Sequence, residues 1–141
     1  MSDAGKRLVT RLVEAFNRGN LTAADELFSL DYVRHIGSSP DLRGPEQWKA
    51  MATSFRSAFP DMVTTVEAMV GEGDLVATRW IARGTHRASM MGEVPSNREV
   101  IIQGVLLSRL AKGRIAEEWE YYDERAMFAG MGMAPPPVER P

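Results

Sequence analysis

The sequence predicts an α+β domain in which helices come first and antiparallel strands follow. Apolar residues recur at helical spacing early in the chain, whereas residues 62–122 are rich in Val, Ile, Thr and aromatic side chains. The chain has 141 residues, 44% of them hydrophobic and 26% charged, which suits one domain with its own core. Helices that pack on one face of a curved sheet leave a concave pocket there, so we expect a lined pocket.

Three helices are predicted in the N-terminal part of the chain. Apolar residues at three- and four-residue spacing between residues 8 and 16 predict the first helix, and Gly19 suits a left-handed cap after it. Residues 21–28 give a second, shorter helix. A third begins at residues 44–46, because Pro45 suits the first helical position and Glu46 suits the positive end of a helix.

Four strands are predicted after these helices. Residues 62–70 and 75–87 form the first two, and residues 99–110 and 114–122 form a hairpin. Residues 111–113 read as a three-residue loop with Gly113 in the left-handed position, which sets Leu110 opposite Arg114 and Val105 opposite Trp119.

The register of this hairpin predicts which side chains share a face, because side chains alternate along a strand. A one-residue change in the loop would move each set to the other face. We expect the first set to line the pocket and Glu118 and Glu120 of the second set to be solvated. The first face is predicted to carry Gln103, Val105, Leu107, Trp119, Tyr121 and Asp123, and the second Ile102, Gly104, Leu106, Glu118, Glu120 and Tyr122.

Composition limits the possible partners and cofactors. A formal charge of -2 with a pI near 5.7 gives no basic footprint for nucleic acid or an anionic membrane. The chain has no Cys, which excludes disulfides, thiolate metal sites and a Cys nucleophile, and its two His lack close metal-ligand spacing. There is no long apolar run and no apolar core of a signal peptide. We therefore expect a cytoplasmic protein without a metal or other cofactor.

Seven short stretches carry a recognisable pattern: residues 14–20, 32–35, 44–46, 58–61, 78–80, 84–86 and 113–123. With them the chain, from about Leu8 to Phe128, resembles the SnoaL-like polyketide cyclases of the nuclear transport factor 2-like superfamily. The resemblance implies a cone-shaped α+β fold, in which three N-terminal helices pack on a strongly curved antiparallel sheet that encloses a pocket. It implies a single domain over residues 1–128, followed by a Met-, Gly- and Pro-rich tail over residues 129–141.

The same resemblance implies a cofactor-free cyclase acting on a small hydrophobic carbonyl compound. In cyclases of that family, an Asp near the end of the last strand is the general acid/base of an intramolecular aldol closure, and a His, a Gln and an Asn surround the substrate. Asp123 matches that Asp, Gln103 matches the Gln, and His35 lies at the early-strand polar position. Val105 stands where those cyclases carry a second-strand His, which is a departure from the pattern.

Two residues, Asp123 and His35, are the predicted catalytic groups, and each has an alternative. An apolar pocket would raise the pKa of Asp123 and suit it to act as a base, whereas residues 123–126 also look like a capped helical turn. His35 would orient substrate or shuttle a proton, or be a histidine satisfied by a backbone carbonyl under the helices. The predicted substrate-binding residues are Gln103, Tyr121, Trp119, Trp80, His86 and Trp48, each of which has a purely structural alternative.

Other functions and contacts stay open at this level. The main alternative is a non-catalytic protein that binds a small hydrophobic ligand. An isomerase is less favoured, because the pattern of a Tyr, a protonated acid and a carboxylate base is incomplete. An epoxide hydrolase is also less favoured, because it would need an Asp-Arg-Asp set in the pocket. Apolar residues on the second hairpin face, Ile102, Leu106 and Tyr122, predict a homodimer through the outer face of the sheet. Five methionines, Met90, Met91, Met127, Met131 and Met133, suggest a soft lid or a plain hydrophobic contact.

Overall fold

A computed structural model describes residues 2–134 of the chain. The C-terminal part of the predicted tail, residues 135–141, lies outside the described residues. Within these described residues there are four α-helices, and a short 3₁₀ turn at Leu21–Ala23 precedes the second. The helices are α1 (Ser2–Arg18), α2 (Ala24–Leu27), α3 (Gly44–Ala58) and α4 (Glu124–Gly130).

Six strands form one sheet in the order β2-β1-β6-β5-β4-β3. The neighbouring pairs are antiparallel, except that β1 and β6 run parallel. Bulges interrupt several of the ladders, and a bulge bends the strand that carries it. The strands are β1 (Phe28–Ile36), β2 (Ser39–Arg43), β3 (Val63–Glu72), β4 (Leu75–Thr85), β5 (Glu99–Ala111) and β6 (Arg114–Tyr122).

The α+β class and the four C-terminal strands are confirmed, while the edges of the helical part differ from the prediction. Phe28, expected at the end of the second helix, begins β1, and residues 39–43 form the further strand β2. The parallel β1–β6 pair was not expected either. Periodicity could not reveal it, because β1 and β6 are distant in the sequence and local spacing carries no information about which strands pair.

The hairpin turn is shorter than predicted. Ala111 pairs with Arg114, so only Lys112 and Gly113 form the turn, with φ of 52° and 76°. Two successive positive φ values fit the tight turn that matches the twist of paired strands. A bulge between Arg109 and Leu110 then shifts the ladder once more.

The two shifts together change the pairing but not the composition of each face. Val105 faces Tyr121 rather than Trp119, and Leu107 faces Trp119. Because the net displacement is an even number of residues, the two predicted sets of side chains each still share a face. Which of these faces points inward is a separate question, which burial answers.

Helices α1 and α3 cover one face of the sheet and position the core. Two clusters of buried side chains lie there, one around Phe28, Tyr32 and Trp48 and the other around Phe59 and Met127. Phe28 stacks on Tyr32 with ring centroids 3.9 Å apart. Helices α1, α3 and α4 and the inner face of the sheet thus enclose a common space.

Asn17, near the end of α1, fixes that helix to the edge strand β3. Its amide nitrogen donates to the Thr64 carbonyl at 2.9 Å, and its side-chain oxygen accepts from the Thr64 amide at 2.8 Å. A side chain therefore satisfies backbone groups that no neighbouring strand reaches. Within residues 2–134, none of the helices has the length and hydropathy needed to cross a membrane.

Candidate functional site

A cavity of about 360 Å³ lies between the inner sheet face and the helices. Its size falls in the range of small-molecule sites, and its wall is predominantly apolar, as such sites usually are. Side chains from α1, α3, β4, β5 and α4 contribute to it. Aromatic residues of the wall are Phe16, Trp48, Phe55, Trp80, Tyr122 and Phe128, and its methionines are Met51, Met62, Met90, Met91 and Met127.

The inner face of the β5–β6 hairpin is the one that was expected to face solvent. Ile102, Leu106, Glu120 and Tyr122 line the cavity, and Glu118 is fully buried beneath it. The predicted assignment of the faces is therefore wrong. The acidic residues were taken as solvated, whereas buried hydrogen-bond partners from β1 and β5 accommodate them. For the same reason the predicted dimer residues Ile102, Leu106 and Tyr122 are not on the outer face.

Glu118 is the centre of a buried polar network. Arg34 donates to it at 2.6 Å, Tyr32 at 2.7 Å and Ser108 at 2.5 Å. Arg34 also donates to the Tyr32 hydroxyl at 2.7 Å. A buried ion pair is tolerated when additional hydrogen bonds satisfy its remaining groups, and that condition is met here. Glu118 is thus held as a partner of Arg34.

Glu120 is the carboxyl group that this network presents to the cavity. Arg34 reaches one of its oxygens at 3.3 Å, a longer contact than the one to Glu118. Burial raises the pKa of Glu120 above its usual value; Arg34 opposes that effect and the charge of Glu118 reinforces it. Since Arg34 is engaged more closely by Glu118, Glu120 is the weaker-held carboxyl and the one suited to exchange a proton.

Two further polar groups lie beside Glu120. Tyr122 lines the cavity, and burial, with contributions from Glu124 and Glu120, raises its pKa to about 12. Its hydroxyl therefore stays protonated near neutral pH and can donate a hydrogen bond. Glu124, the first residue of α4, also lines the cavity. The end of β6 and the start of α4 together form the polar side of an otherwise apolar space.

Asp123 lies outside this cavity. It caps α4: its carboxylate accepts from the Ala126 amide at 3.0 Å, and its side chain is exposed. The predicted position of Asp123 in the pocket is wrong, and the alternative of a helix cap is confirmed. The physical reason is the inverted face, because Asp123 follows Tyr121 on the outward side of β6 before the chain turns into the helix.

His35 is on the outer side of the sheet and does not line the cavity. Its Nδ1 lies 3.0 Å from Asp41 and its Nε2 2.7 Å from Glu117, and its ring stacks on Trp119 with centroids 5.5 Å apart. The hydrogen bond to Glu117 and then that to Asp41 raise the pKa of His35, outweighing partial desolvation. His35 therefore links β1, β2 and β6 through two carboxylates on the outer side of the sheet, and not through a backbone carbonyl under the helices.

His86 is fully buried and holds the loop after β4. Its Nδ1 accepts from the Ser96 amide at 3.1 Å, and its Nε2 lies 2.8 Å from Glu93. Glu93 also accepts from the amides of Met90 and Met91, and the pKa of Glu93 is lowered to about 2, because these hydrogen bonds outweigh its burial. His86 is thus a loop contact, and through it Met90 and Met91 are kept in the cavity wall.

The remaining predicted binding residues divide between the two sides of the sheet. Trp80 and Trp48 line the cavity, and Trp48 also belongs to the core, where it packs edge-on against Phe28. Gln103 and Tyr121 instead border a shallow outer depression with Asp123, and Tyr121 is 63% exposed. Trp119 lies on that outer face against His35.

Sequence reasoning missed Arg34, Glu118, Glu120 and Tyr122. One signal was available, because Glu118 and Glu120 alternate with aromatic residues in β6. A Glu that faces inward from a strand needs a cation beside it to offset the loss of solvation. Arg34 occupies the corresponding alternate position in Tyr32-Val33-Arg34-His35. Only the β1–β6 pairing brings them together, which the sequence did not reveal. Within residues 2–134 the structure shows no group of three or more His, Cys, Asp or Glu that could hold a metal.

Comparison with known proteins gives a consistent picture. The family model for SnoaL-like polyketide cyclases matches residues 6–130. The aklanonic acid methyl ester cyclase DnrD of Streptomyces peucetius is 27% identical over 128 residues, which are 89% of this chain and 88% of DnrD. Wild-type IdmH of Streptomyces antibioticus is 36% identical with a TM-score of 0.79, covering 91% of this chain and 98% of IdmH. A candidate cyclase structure from Jannaschia sp. CCS1 has a TM-score of 0.86 at 24% identity, covering 96% of each chain.

Proposed function

Because the chain belongs to the SnoaL-like polyketide cyclase family, we propose that it closes a ring in a small hydrophobic carbonyl compound and that Glu120 is its general acid/base. The observation that supports this most directly is a weakly held carboxyl group, Glu120, with a raised pKa in a predominantly apolar cavity. DnrD is named for its action on aklanonic acid methyl ester, and an ester of this class is the substrate that we propose for the cavity.

The proposed reaction is a proton transfer followed by carbon–carbon bond formation. Glu120, as carboxylate, takes a proton from the carbon next to a carbonyl group, and the electron pair moves to the carbonyl oxygen as an enolate. The enolate carbon attacks a second carbonyl carbon in the same molecule, and the resulting alkoxide takes the proton back from Glu120. A base of raised pKa is matched to this exchange near neutral pH.

Arg34 and Tyr122 supply stabilisation for the developing negative charge. Arg34 lines the cavity and is held rigidly by Glu118 and Tyr32, so it need not reorganise during the reaction. Tyr122 keeps its proton because its pKa is raised to about 12. Its hydroxyl can therefore donate a hydrogen bond to the enolate oxygen. In this proposal Tyr122 takes the role that the sequence assigned to Tyr121, and Glu120 the role assigned to Asp123.

Epoxide hydrolysis is a second candidate, supported by the arrangement of Arg34 between Glu118 and Glu120. Such a reaction needs an acid for the epoxide oxygen and a base for the attacking water. Glu118 is fully buried and already accepts from Arg34, Tyr32 and Ser108, which leaves it poorly placed to hold a water. Of the two carboxylates that Arg34 contacts, Glu120 alone lines the cavity, which favours cyclisation. Ligand binding without turnover is the remaining alternative.

The test compares two matched acid-to-amide variants, Glu120→Gln in the cavity and Asp123→Asn at the helix cap. Purified proteins are incubated with aklanonic acid methyl ester and with a panel of related keto esters, and cyclised product is followed by liquid chromatography and mass spectrometry. We expect Glu120→Gln to lose about 10²–10⁴ in rate, the range for one general base, and Asp123→Asn to stay near the wild type. Diol formation from a simple cyclic epoxide, blocked by the same variant, would support the second candidate.

The opposite ranking of the two variants would contradict the proposal. If Asp123→Asn lost the activity and Glu120→Gln kept it, the acid/base would lie on the outer face. If the wild type bound these compounds and neither cyclised nor hydrolysed any, the binding-only alternative would gain.

A further inference from the structure

We propose that Thr78 and Trp80 form a two-donor seat that recognises acceptor oxygens of the ligand. The seat deepens the proposed function and rests on it for treating the cavity as the substrate site. It assigns a binding role to two neighbouring inward positions of β4, of which only Trp80 was expected to touch a ligand, and then only as an aromatic surface.

Both residues carry an unpaired buried polar atom. The Thr78 hydroxyl oxygen and the Trp80 indole nitrogen are covered from solvent, and neither has a hydrogen-bond partner among the described residues 2–134. Proteins pair the great majority of buried polar atoms, so two unpaired ones at positions i and i+2 of one strand call for an explanation. Both residues line the cavity, but the two atoms themselves have no surface open to it, so a partner from the cavity contents requires neighbouring wall side chains to move.

The sheet fixes where this seat lies relative to the acid/base. Thr78 is paired across the ladder with Leu106, and Leu106 with Glu120. Trp80 is likewise paired with Gly104 of β5, and Gly104 is paired with Tyr122 of β6. The backbones of the two donor residues are thus two strands from β6, or about 10 Å at the usual strand spacing. The Trp80 ring itself reaches across β5 toward Tyr122, because both side chains approach the same Gly104 position.

Gly104 lies on β5 between Trp80 and Tyr122, and its lack of a side chain leaves room for the Trp80 ring. A Cβ atom at this position would lie 2.7 Å from the Trp80 ring and 2.9 Å from the Cβ of Tyr122, both closer than real Cβ contacts. Trp80 and Tyr122 therefore close over a position without a side chain. The indole is positioned by packing, independently of any hydrogen bond from its nitrogen.

A ligand reaches the two atoms by displacing neighbouring side chains of the wall. Five of the lining residues are methionines, which adapt to irregular shapes at small cost. An indole N–H only donates, and a threonine hydroxyl can donate as well as accept. The seat therefore selects compounds with carbonyl, ester or ether oxygens and disfavours hydrocarbons of the same shape, because a site built for a hydrogen bond rejects an analogue that lacks the partner.

The test uses two planar probes of nearly equal shape, 9-fluorenone, which has a carbonyl oxygen, and fluorene, which has a methylene in its place. Affinities are measured by equilibrium dialysis for the wild type, Thr78→Val and Trp80→Phe. Thr65→Val, on the exposed side of β3, and Trp119→Phe, on the outer face, are the matched controls. The indole N–H proton signals of ¹⁵N-labelled protein are followed in the same titrations.

We expect the wild type to bind fluorenone about tenfold more tightly than fluorene, the effect of one good hydrogen bond. Thr78→Val and Trp80→Phe should each reduce this ratio with little change in fluorene affinity, while the controls retain it. Fluorenone alone should move the Trp80 indole proton signal downfield. Since the Thr78 hydroxyl has no protein partner, Thr78→Val should leave the urea midpoint of unfolding unchanged or raised.

A ratio that stays the same in both variants, or a wild type that binds neither probe, would overturn the seat. These outcomes are separate from those for Glu120, because the probes are not turned over. Glu120→Gln should keep the preference for fluorenone, so loss of cyclisation and loss of the preference identify different failures.

Discussion

At the scale of single residues, one cation and two carboxylates decide the chemistry of the cavity. Arg34 pairs closely with Glu118 and more distantly with Glu120. The closer pair consumes most of the hydrogen-bonding capacity of Glu118, and the more distant contact leaves Glu120 able to change protonation. A structural carboxylate and the proposed acid/base are thus the same residue type, two positions apart on one strand.

Breaking this pair on one side should be costly. Arg34→Met leaves Glu118 buried without its cation, and we expect the free energy of unfolding to fall by about 3–5 kcal/mol. The double variant Arg34→Met/Glu118→Met removes both charges and should recover much of that loss. Urea unfolding of the two variants and the wild type measures the difference. A double variant as unstable as the single one would show that the pair is not the reason for the loss.

The pair of carboxylates around His35 predicts a pH-dependent contribution to stability. The pKa of His35 is raised in the folded state. The stabilisation is therefore fully present below the unfolded pKa of about 6.5, and it is lost as pH rises through the folded pKa of His35. His35→Gln should therefore cost more stability at acidic than at alkaline pH, by less than about 1 kcal/mol because the site is partly exposed. Equal costs in urea unfolding at the two pH extremes would contradict this assignment.

At the scale of elements, the β6–α4 junction separates a helix-capping carboxylate, Asp123, from the proposed acid/base, Glu120. Asp123 caps α4, and α4 carries Met127 and Phe128 into the cavity wall. Local reasoning saw both possible roles of Asp123, since the capping pattern and the strand end are visible in the sequence. It could not choose between them, because the choice depends on which face of β6 is covered by helices.

The cap makes a distinct prediction for Asp123. Asp123→Ala should lower the free energy of unfolding by about 1 kcal/mol, and Asp123→Asn by much less, because asparagine caps nearly as well. Thermal unfolding of the two variants measures this. A large loss for Asp123→Asn would show that its charge has a further role.

At the scale of the whole molecule, the class of fold was predictable and the inside of the sheet was not. The helical spacing before residue 60 and the strand composition after it are local properties, and so are the residues that share a face of the β5–β6 hairpin. The pairing of β1 with β6 is not local, and it alone brings Arg34 to Glu118. Without that pairing Glu118 and Glu120 looked like solvated residues, and the wrong face was taken as the pocket.

The corrected faces move the expected dimer surface. Val105 and Tyr121 are 45% and 63% exposed on the outer face, next to Ile101. We expect two copies to pack these faces together, since an exposed apolar sheet face is a common site of association. Tyr121→Glu should reduce the mass measured by sedimentation to that of one chain, and Arg87→Glu, exposed beyond the end of β4, is the control. A wild type that sediments as a single chain at high concentration would contradict this expectation.

The central claim, that Glu120 is the exchanging carboxyl of the cavity, is tested most directly by a ¹³C NMR titration of the glutamate carboxyl groups. Comparison of the wild type with Glu120→Gln assigns the signal of Glu120. The account predicts that this carboxyl titrates above the usual value of 4.5 and that its signal moves when fluorenone fills the cavity. A Glu120 carboxyl that titrates at or below 4.5 would be an ordinary partner of Arg34, and the acid/base would have to be sought elsewhere.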